Sequence, residues 1–125
     1  ENGGTRGPAR TFTPIDVWDV RLAGGKTASF DLPEGRNVVV VVLDGTVEIN
    51  GERIVRAAEV ATLGSDGGAF TVEAAGAAKL LVLSGEPIDE PVVAHGPFVM
   101  NSVGEIRQAM LDFQNGKFGA IAGAQ

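Results

Sequence analysis

His95 is the only imidazole among the 125 residues and cysteine is absent, so the side chains that most often do nucleophilic or metal chemistry near neutral pH are almost missing. A catalytic histidine needs a nucleophile or a metal beside it. His95 stands directly before Gly96-Pro97, a turn setting that suits surface or interdomain packing better. The serines that could pair with it are Ser29, Ser65, Ser84 and Ser102, and none lies in a Gly-x-Ser-x-Gly elbow of the kind that exposes a nucleophile on a strand-to-helix turn. Carboxylates are more plentiful, at Asp16, Asp19, Glu48, Glu52, Glu73, Glu86, Asp89 and Glu90. An acid–base pair would need two of them to converge in a cleft, whereas strand alternation is expected to turn most of them to water. Ser65-Asp66-Gly67-Gly68 lacks the ligand spacing of a calcium loop and reads as a turn. Neither Gly24-Gly25 nor Gly67-Gly68 precedes a helix carrying Lys-Ser or Lys-Thr, so neither cradles phosphate.

The composition narrows the classes further. Lys and Arg number 10 against 16 Asp and Glu, a net charge of −6, which leaves no basic footprint for direct binding to nucleic acid. No apolar run approaches the roughly 20 residues of a bilayer span, so no membrane partner is expected. A single histidine and no cysteine cannot build a multi-histidine or thiolate metal centre within one chain. The lack of cysteine suits a reducing compartment, and the cytoplasm is expected. Residues 1–11 are polar and glycine-rich without a starting Met and read as a flexible lead or interdomain linker of something longer. Residues 120–125 read as a flexible tail.

Eighteen glycines and 44% apolar residues describe an ordered chain with many turns. In Ile15–Leu22 the apolar residues Ile15, Val17, Val20 and Leu22 give a strand pattern broken once near Trp18. Residues 27–32 alternate, and residues 38–43 form a continuous β-branched run whose lack of alternation predicts burial on both faces. Asp44-Gly45, between this run and residues 46–49, is the strongest hairpin signal, and Asn50-Gly51 repeats it one strand later. Residues 53–55, 60–63, 70–73 and 79–83 complete about eight short strands, the spacing of a β-sandwich or jelly roll. Residues 85–101, rich in proline and without clear period, are expected to form an extended tail. Ser102 and Glu105 then form a capping box, with the carboxylate reaching back to the amide of the cap. Ile106, Ala109, Met110 and Phe113 line one face of a helix over 102–115 that Asn115-Gly116 stops.

Two stretches resemble one family. Gly96-Pro97-Phe98-Val99-Met100-Asn101-Ser102, with Glu105-Ile106-Arg107-Gln108-Ala109, Asp112-Phe113 and Gly116-Lys117-Phe118-Gly119 after it, is similar to the C-terminal signature of the pirins, which belong to the cupin superfamily. Pro33-Glu34-Gly35 and the run from Val38 through Asp44-Gly45 to Asn50-Gly51 resemble a cupin barrel in the second pirin domain. Phe113 stands where the family usually has Tyr, and Val103-Gly104 replaces a more polar pair. The resemblance covers residues 12–119 and implies an all-β, cupin-type jelly-roll barrel of about eight or more antiparallel strands with one C-terminal helix. Pirins are bicupins. Members hold iron or a related metal in the first domain through three His and a Glu, several cleave quercetin as quercetin 2,3-dioxygenases, and some eukaryotic members are nuclear coregulators. Catalytic cupins place those ligands near the positions occupied here by residues 36–43 and 59–63, where this chain has Val38 to Val42 and then Val60, Ala61 and Thr62.

The resemblance therefore implies a metal-free C-terminal half, with no catalytic or metal residues of its own and with iron, or another divalent metal, in a first domain outside this sequence. That first domain is the expected partner, with contacts through Pro97, Phe98, Met100, Ile106, Met110 and Phe113. Without it, a homodimer or domain swap is expected. Two other readings stand beside this one. A freestanding module could bind a small flavonoid-like molecule in an interior lined by Val38, Val40, Val42 and Trp18, although Trp18, like Phe12, is read first as core. An interaction domain could instead use the helix stripe.

Overall fold

The computed structural model describes residues 7–121, so residues 1–6 of the expected lead and 122–125 of the expected tail lie outside the described residues. The chain divides into two compact units, one ending at Pro87 and the other beginning at Ile88. The first holds strands β1 (Ile15–Leu22), β2 (Thr27–Asp31), β3 (Asn37–Asp44), β4 (Thr46–Ile49), β5 (Arg53–Arg56), β6 (Val60–Leu63), β7 (Ala69–Ala74) and β8 (Ala78–Gly85). They pair in two four-stranded antiparallel sheets, β1-β8-β3-β6 and β2-β7-β4-β5. Consecutive strands alternate between sheets for most of the chain, which is the double Greek key of a jelly roll.

Alternation decides what lies between the sheets. Along β7, Phe70, Val72 and Ala74 point inward and are buried while Ala69, Thr71 and Glu73 face out, the period of two that the sequence displays. The inner rows of the first sheet are Trp18–Val82–Val40–Ala61 and Val20–Leu80–Val42, and those of the second include Phe30–Phe70 and Ala28–Val72–Ile49. Phe30 stacks on Phe70 at 4.9 Å and on Trp18 at 5.7 Å between centroids, tying one sheet to the other through offset aromatic packing.

Four local expectations are corrected. First, β1 is unbroken: Asp16, Trp18, Val20 and Leu22 point inward, whereas Ile15 and Val17 are exposed. Strict alternation therefore places a carboxylate in the interior. Second, β3 buries Val38, Val40 and Val42 but leaves Val39 and Val41 only half-buried. Third, Asp44-Gly45 is not a hairpin, because β3 pairs with β6 and β8 while β4 pairs with β5 and β7. A single residue links the two strands, too few to reverse the chain within one sheet, and the bulge at residues 42–44 helps turn it from one sheet to the other. Gly45 has φ 85°, and a Cβ there would stand 2.5 Å from the Ala77 carbonyl oxygen. Gly45→Ala is thus expected to cost about 2–3 kcal/mol. Gly51→Ala, at φ 68° with open space around it, should cost only about 1 kcal/mol, a contrast that parallel urea titrations would measure. Fourth, the capping carboxylate does not reach the amide of its cap. Glu105 Oε2 accepts from the Asn101 amide at 3.2 Å and from the Ser102 hydroxyl at 2.9 Å, while Ser102 Oγ accepts from the Glu105 amide.

The second unit contains strands β9 (Val93–His95) and β10 (Phe98–Met100) and helix α1 (Val103–Gln114). The segment expected as an extended tail thus folds back as an antiparallel hairpin. Its turn is Gly96-Pro97, with Gly96 at φ 55°, the glycine-first arrangement that matches strand twist. The helix stops in a Schellman motif, with Gly116 donating to the Phe113 carbonyl and Lys117 to that of Asp112. Lys117 and Gln108 also donate to the Asp112 carboxylate, at 2.7 and 2.9 Å, and these hydrogen bonds, that from Lys117 first, hold its carboxyl below the usual range. A carboxyl depressed in the folded state adds stability above its unfolded value and loses it as pH falls through the folded one. Amide protection factors over residues 113–119, corrected for the intrinsic pH dependence of exchange, should therefore fall as pH drops through the lowered Asp112 value and change little above the usual carboxylate range.

Candidate functional site

Three loops, 32–36, 50–52 and 64–68, meet at one end of the barrel. The Leu32 amide donates to the Gly68 carbonyl at 2.6 Å and the Gly35 amide to the Ser65 carbonyl at 3.1 Å. A side chain at Gly68 would run into the Leu32 carbonyl oxygen, so glycine there permits the approach. Between these loops opens a cleft of about 260 Å³. Leu32, Val38, Ile49 and Phe70 form its apolar walls, Ala61 and Leu63 line the β6 side, and Arg36, Glu52, Arg53 and Asp66 supply its charges.

Behind the cleft lies a buried polar group that the residue pattern did not announce. Asp16, Ser84 and Val38 occupy one inner row across β1, β8 and β3. Arg36 Nη1 donates to Asp16 Oδ2 at 2.5 Å, with both side chains only 10% exposed. Arg36 Nε and Ser84 Oγ are buried with no hydrogen-bond partner among the described residues.

The residues singled out from sequence separate in space. Val38 borders the cleft. Val40 and Val42 are completely buried in the core, and Trp18 is stacked on Phe30. In the other unit, Ile106 is 4% exposed, Met110 and Phe98 are half-buried, and Pro97 and Phe113 are exposed. Phe98, Phe113 and Phe118 meet edge to face, with centroids 6.1–6.3 Å apart. His95 is exposed at the hairpin end. Among the described residues, no three His, Cys, Asp or Glu side chains gather as a metal site would require. The hydrocarbon of Val38, Val40 and Val42 offers no donor atom, so these positions do not fit an iron ion.

The outer face of the first sheet is the other conspicuous feature. Its rows read Val17–Leu83–Val39–Thr62 and Asp19–Leu81–Val41–Val60. Val17 is 64% and Val60 61% exposed, whereas the outer face of such a sheet is ordinarily polar.

Residues 17–119 match the model of the pirin C-terminal cupin domain. The chain belongs to the pirin family. A Pseudomonas aeruginosa pirin relative named "Putative quercetin 2,3-dioxygenase" is 52% identical over 116 residues, covering 93% of this chain and 40% of its own length. Mouse pirin is 36% identical over 121 residues, covering 93% of this chain and 41% of its own length. A crystal structure of a quercetin 2,3-dioxygenase from Acinetobacter baumannii superposes with a TM-score of 0.88 at 42% identity, over 97% of this chain and 42% of that one. This pirin chain thus spans about two-fifths of the length of these relatives, and the cupin barrel implied by its sequence is the fold it has. Among the described residues no helix is long and apolar enough to cross a membrane.

Proposed function

We propose that this chain is the second, metal-free barrel of a two-barrel pirin, which braces and covers a first barrel that holds the metal and does the chemistry. The observation that carries the reading is the outward face of the first sheet. Val17, Val39, Val41, Val60, Leu81 and Leu83 place apolar side chains two rows deep on a surface with only Asp19 and Thr62 among them. A face of this kind marks a protein contact, and the occupant proposed for it is the first barrel of the longer protein. The interior supports the same division of labour, since valines stand where catalytic cupins carry imidazole and carboxylate. Iron-dependent quercetin 2,3-dioxygenation belongs, on this reading, to the longer protein, and its compartment is the cytoplasm, or the nucleus for a eukaryotic source. Of the helix-side contacts, those of Phe113 would be direct, whereas Ile106 is already buried and would act only by holding the helix.

The test separates the two barrels. The chain alone should hold no stoichiometric iron, nickel or zinc and leave quercetin unconsumed, while co-expression with the first barrel should give a stable metal-containing complex. Leu81→Glu should leave the unfolding midpoint of the isolated chain nearly unchanged and abolish the complex. One metal per isolated chain, or a complex indifferent to Leu81→Glu, would refute the reading. Deprived of its partner, the chain is expected to self-associate, with a light-scattering mass that rises with concentration.

A further inference from the structure

The cleft at the barrel mouth is separate from the apolar outer face, and its polar lining is not spent on packing alone. Arg36 lines it, is nine-tenths buried, and has one nitrogen, Nη1, committed to Asp16. Its Nε–H, shielded from water, has no acceptor among the described residues. Buried donors are nearly always paired, and a guanidinium presents its N–H groups as a planar fork that suits a carboxylate. The rest of the lining is mixed: hydrocarbon of Leu32, Val38, Ile49 and Phe70 lies at its base, each less than 8% exposed, beside polar groups that include Asn50 and Thr62. A volume of about 260 Å³ lies below the ~300–1,000 Å³ of pockets for drug-sized ligands, so one ring or a short branched chain is the largest body it takes. Glu52 and Asp66 offset Arg53 at the rim, and with Asp16 behind Arg36 they disfavour a dianion.

From these observations the geometry points to a binding site for a small apolar monocarboxylate, whose oxygens meet the Arg36 guanidinium while its body lies against Leu32, Val38, Ile49 and Phe70. Entry requires the guanidinium to tilt toward the cleft so that Nε reaches the ligand while Nη1 stays with Asp16. The site needs neither a metal nor a second barrel, so its fate is independent of the reading above.

Sodium benzoate is the ligand for the test, with benzyl alcohol as the uncharged match and inorganic phosphate as the dianion, each titrated into the isotope-labelled chain and followed by NMR. Benzoate should shift the Arg36 Nε–H signal and the Leu63 and Phe70 amides saturably, and the two controls should not. Ala61→Leu narrows the cleft without touching the ion pair and should raise the benzoate Kd by about tenfold or more, in a chain whose amide spectrum remains folded. Arg36→Lys, which keeps the charge but not the fork, should weaken binding as well. Unsaturable shifts, equal binding of benzyl alcohol, or a Kd unchanged by Ala61→Leu would overturn the proposal.

Discussion

Arg36→Met is expected to lower the free energy of unfolding by roughly 3–5 kcal/mol, far more than removal of an exposed ion pair would. Asp16 is 8% exposed and its carboxylate lies 2.5 Å from the guanidinium. Deleting the cation takes the guanidinium away from a carboxylate that stays inside the barrel, and the contacts Asp16 keeps do not restore that hydrogen bond. The size of the effect does not mean that the pair itself contributes as much. Bringing both ions out of water is costly, and the attraction recovers little more than that cost. The double variant Asp16→Leu with Arg36→Met, which replaces both charges with hydrocarbon, should therefore recover most of the loss. Urea unfolding of the wild type, both single variants and the double variant closes the cycle. A double variant no more stable than Arg36→Met would mean that the pair is a net stabiliser. By contrast, the exposed pair of Arg21 with Asp19, at 3.5 Å, is expected to contribute no more than about 1 kcal/mol.

Leu80→Ala should cost about 2–5 kcal/mol. Leu80 is completely buried and sits between Val20 and Val42 in its row, on the central strand pair of the first sheet. Truncation removes transfer energy and opens a cavity that flanking strands, paired on both sides, cannot collapse to fill. The comparison is Leu43→Ala, at the β3 bulge with 54% of the residue exposed, where a change of less than about 1 kcal/mol is expected. Thermal and urea unfolding of the two variants would distinguish core from corner, and equal losses would place the core elsewhere.

The sequence made some of these features legible and concealed others for physical reasons. Asn50-Gly51 was readable as a turn because φ values of 55° and 68° are conformations those two residue types tolerate. Ser102 with Glu105 marked the helix start because capping is local. Asp44-Gly45 has the same composition as a hairpin turn, yet which strands pair is settled by contacts distant in sequence, such as Asn37–Asp44 against Ala78–Gly85, and composition does not carry that information. A period of two shows that side chains alternate, but not which set faces the core. Alternation alone therefore leaves the side of Asp16 open, and its inward neighbours Trp18 and Val20 settle it. The continuous valines of β3 were apolar on both sides, as the run indicated, but only one side is closed. Val38 could be placed near a cavity. The rest of the cleft comes from loops such as 64–68, and no periodic signal marks residues that meet only after the strands have paired.

The ring stack of Trp18, Phe30 and Phe70 has a practical consequence. With one tryptophan and no tyrosine in the sequence, long-wavelength protein fluorescence comes from a single indole lodged where the two sheets meet. Any event that pries the layers apart, whether heat, urea or a core substitution, must redden that emission by wetting the ring. Occupation of the outer face, on the opposite side of β1, leaves the indole between the sheets. One optical channel can thus follow sheet separation without being confused by association.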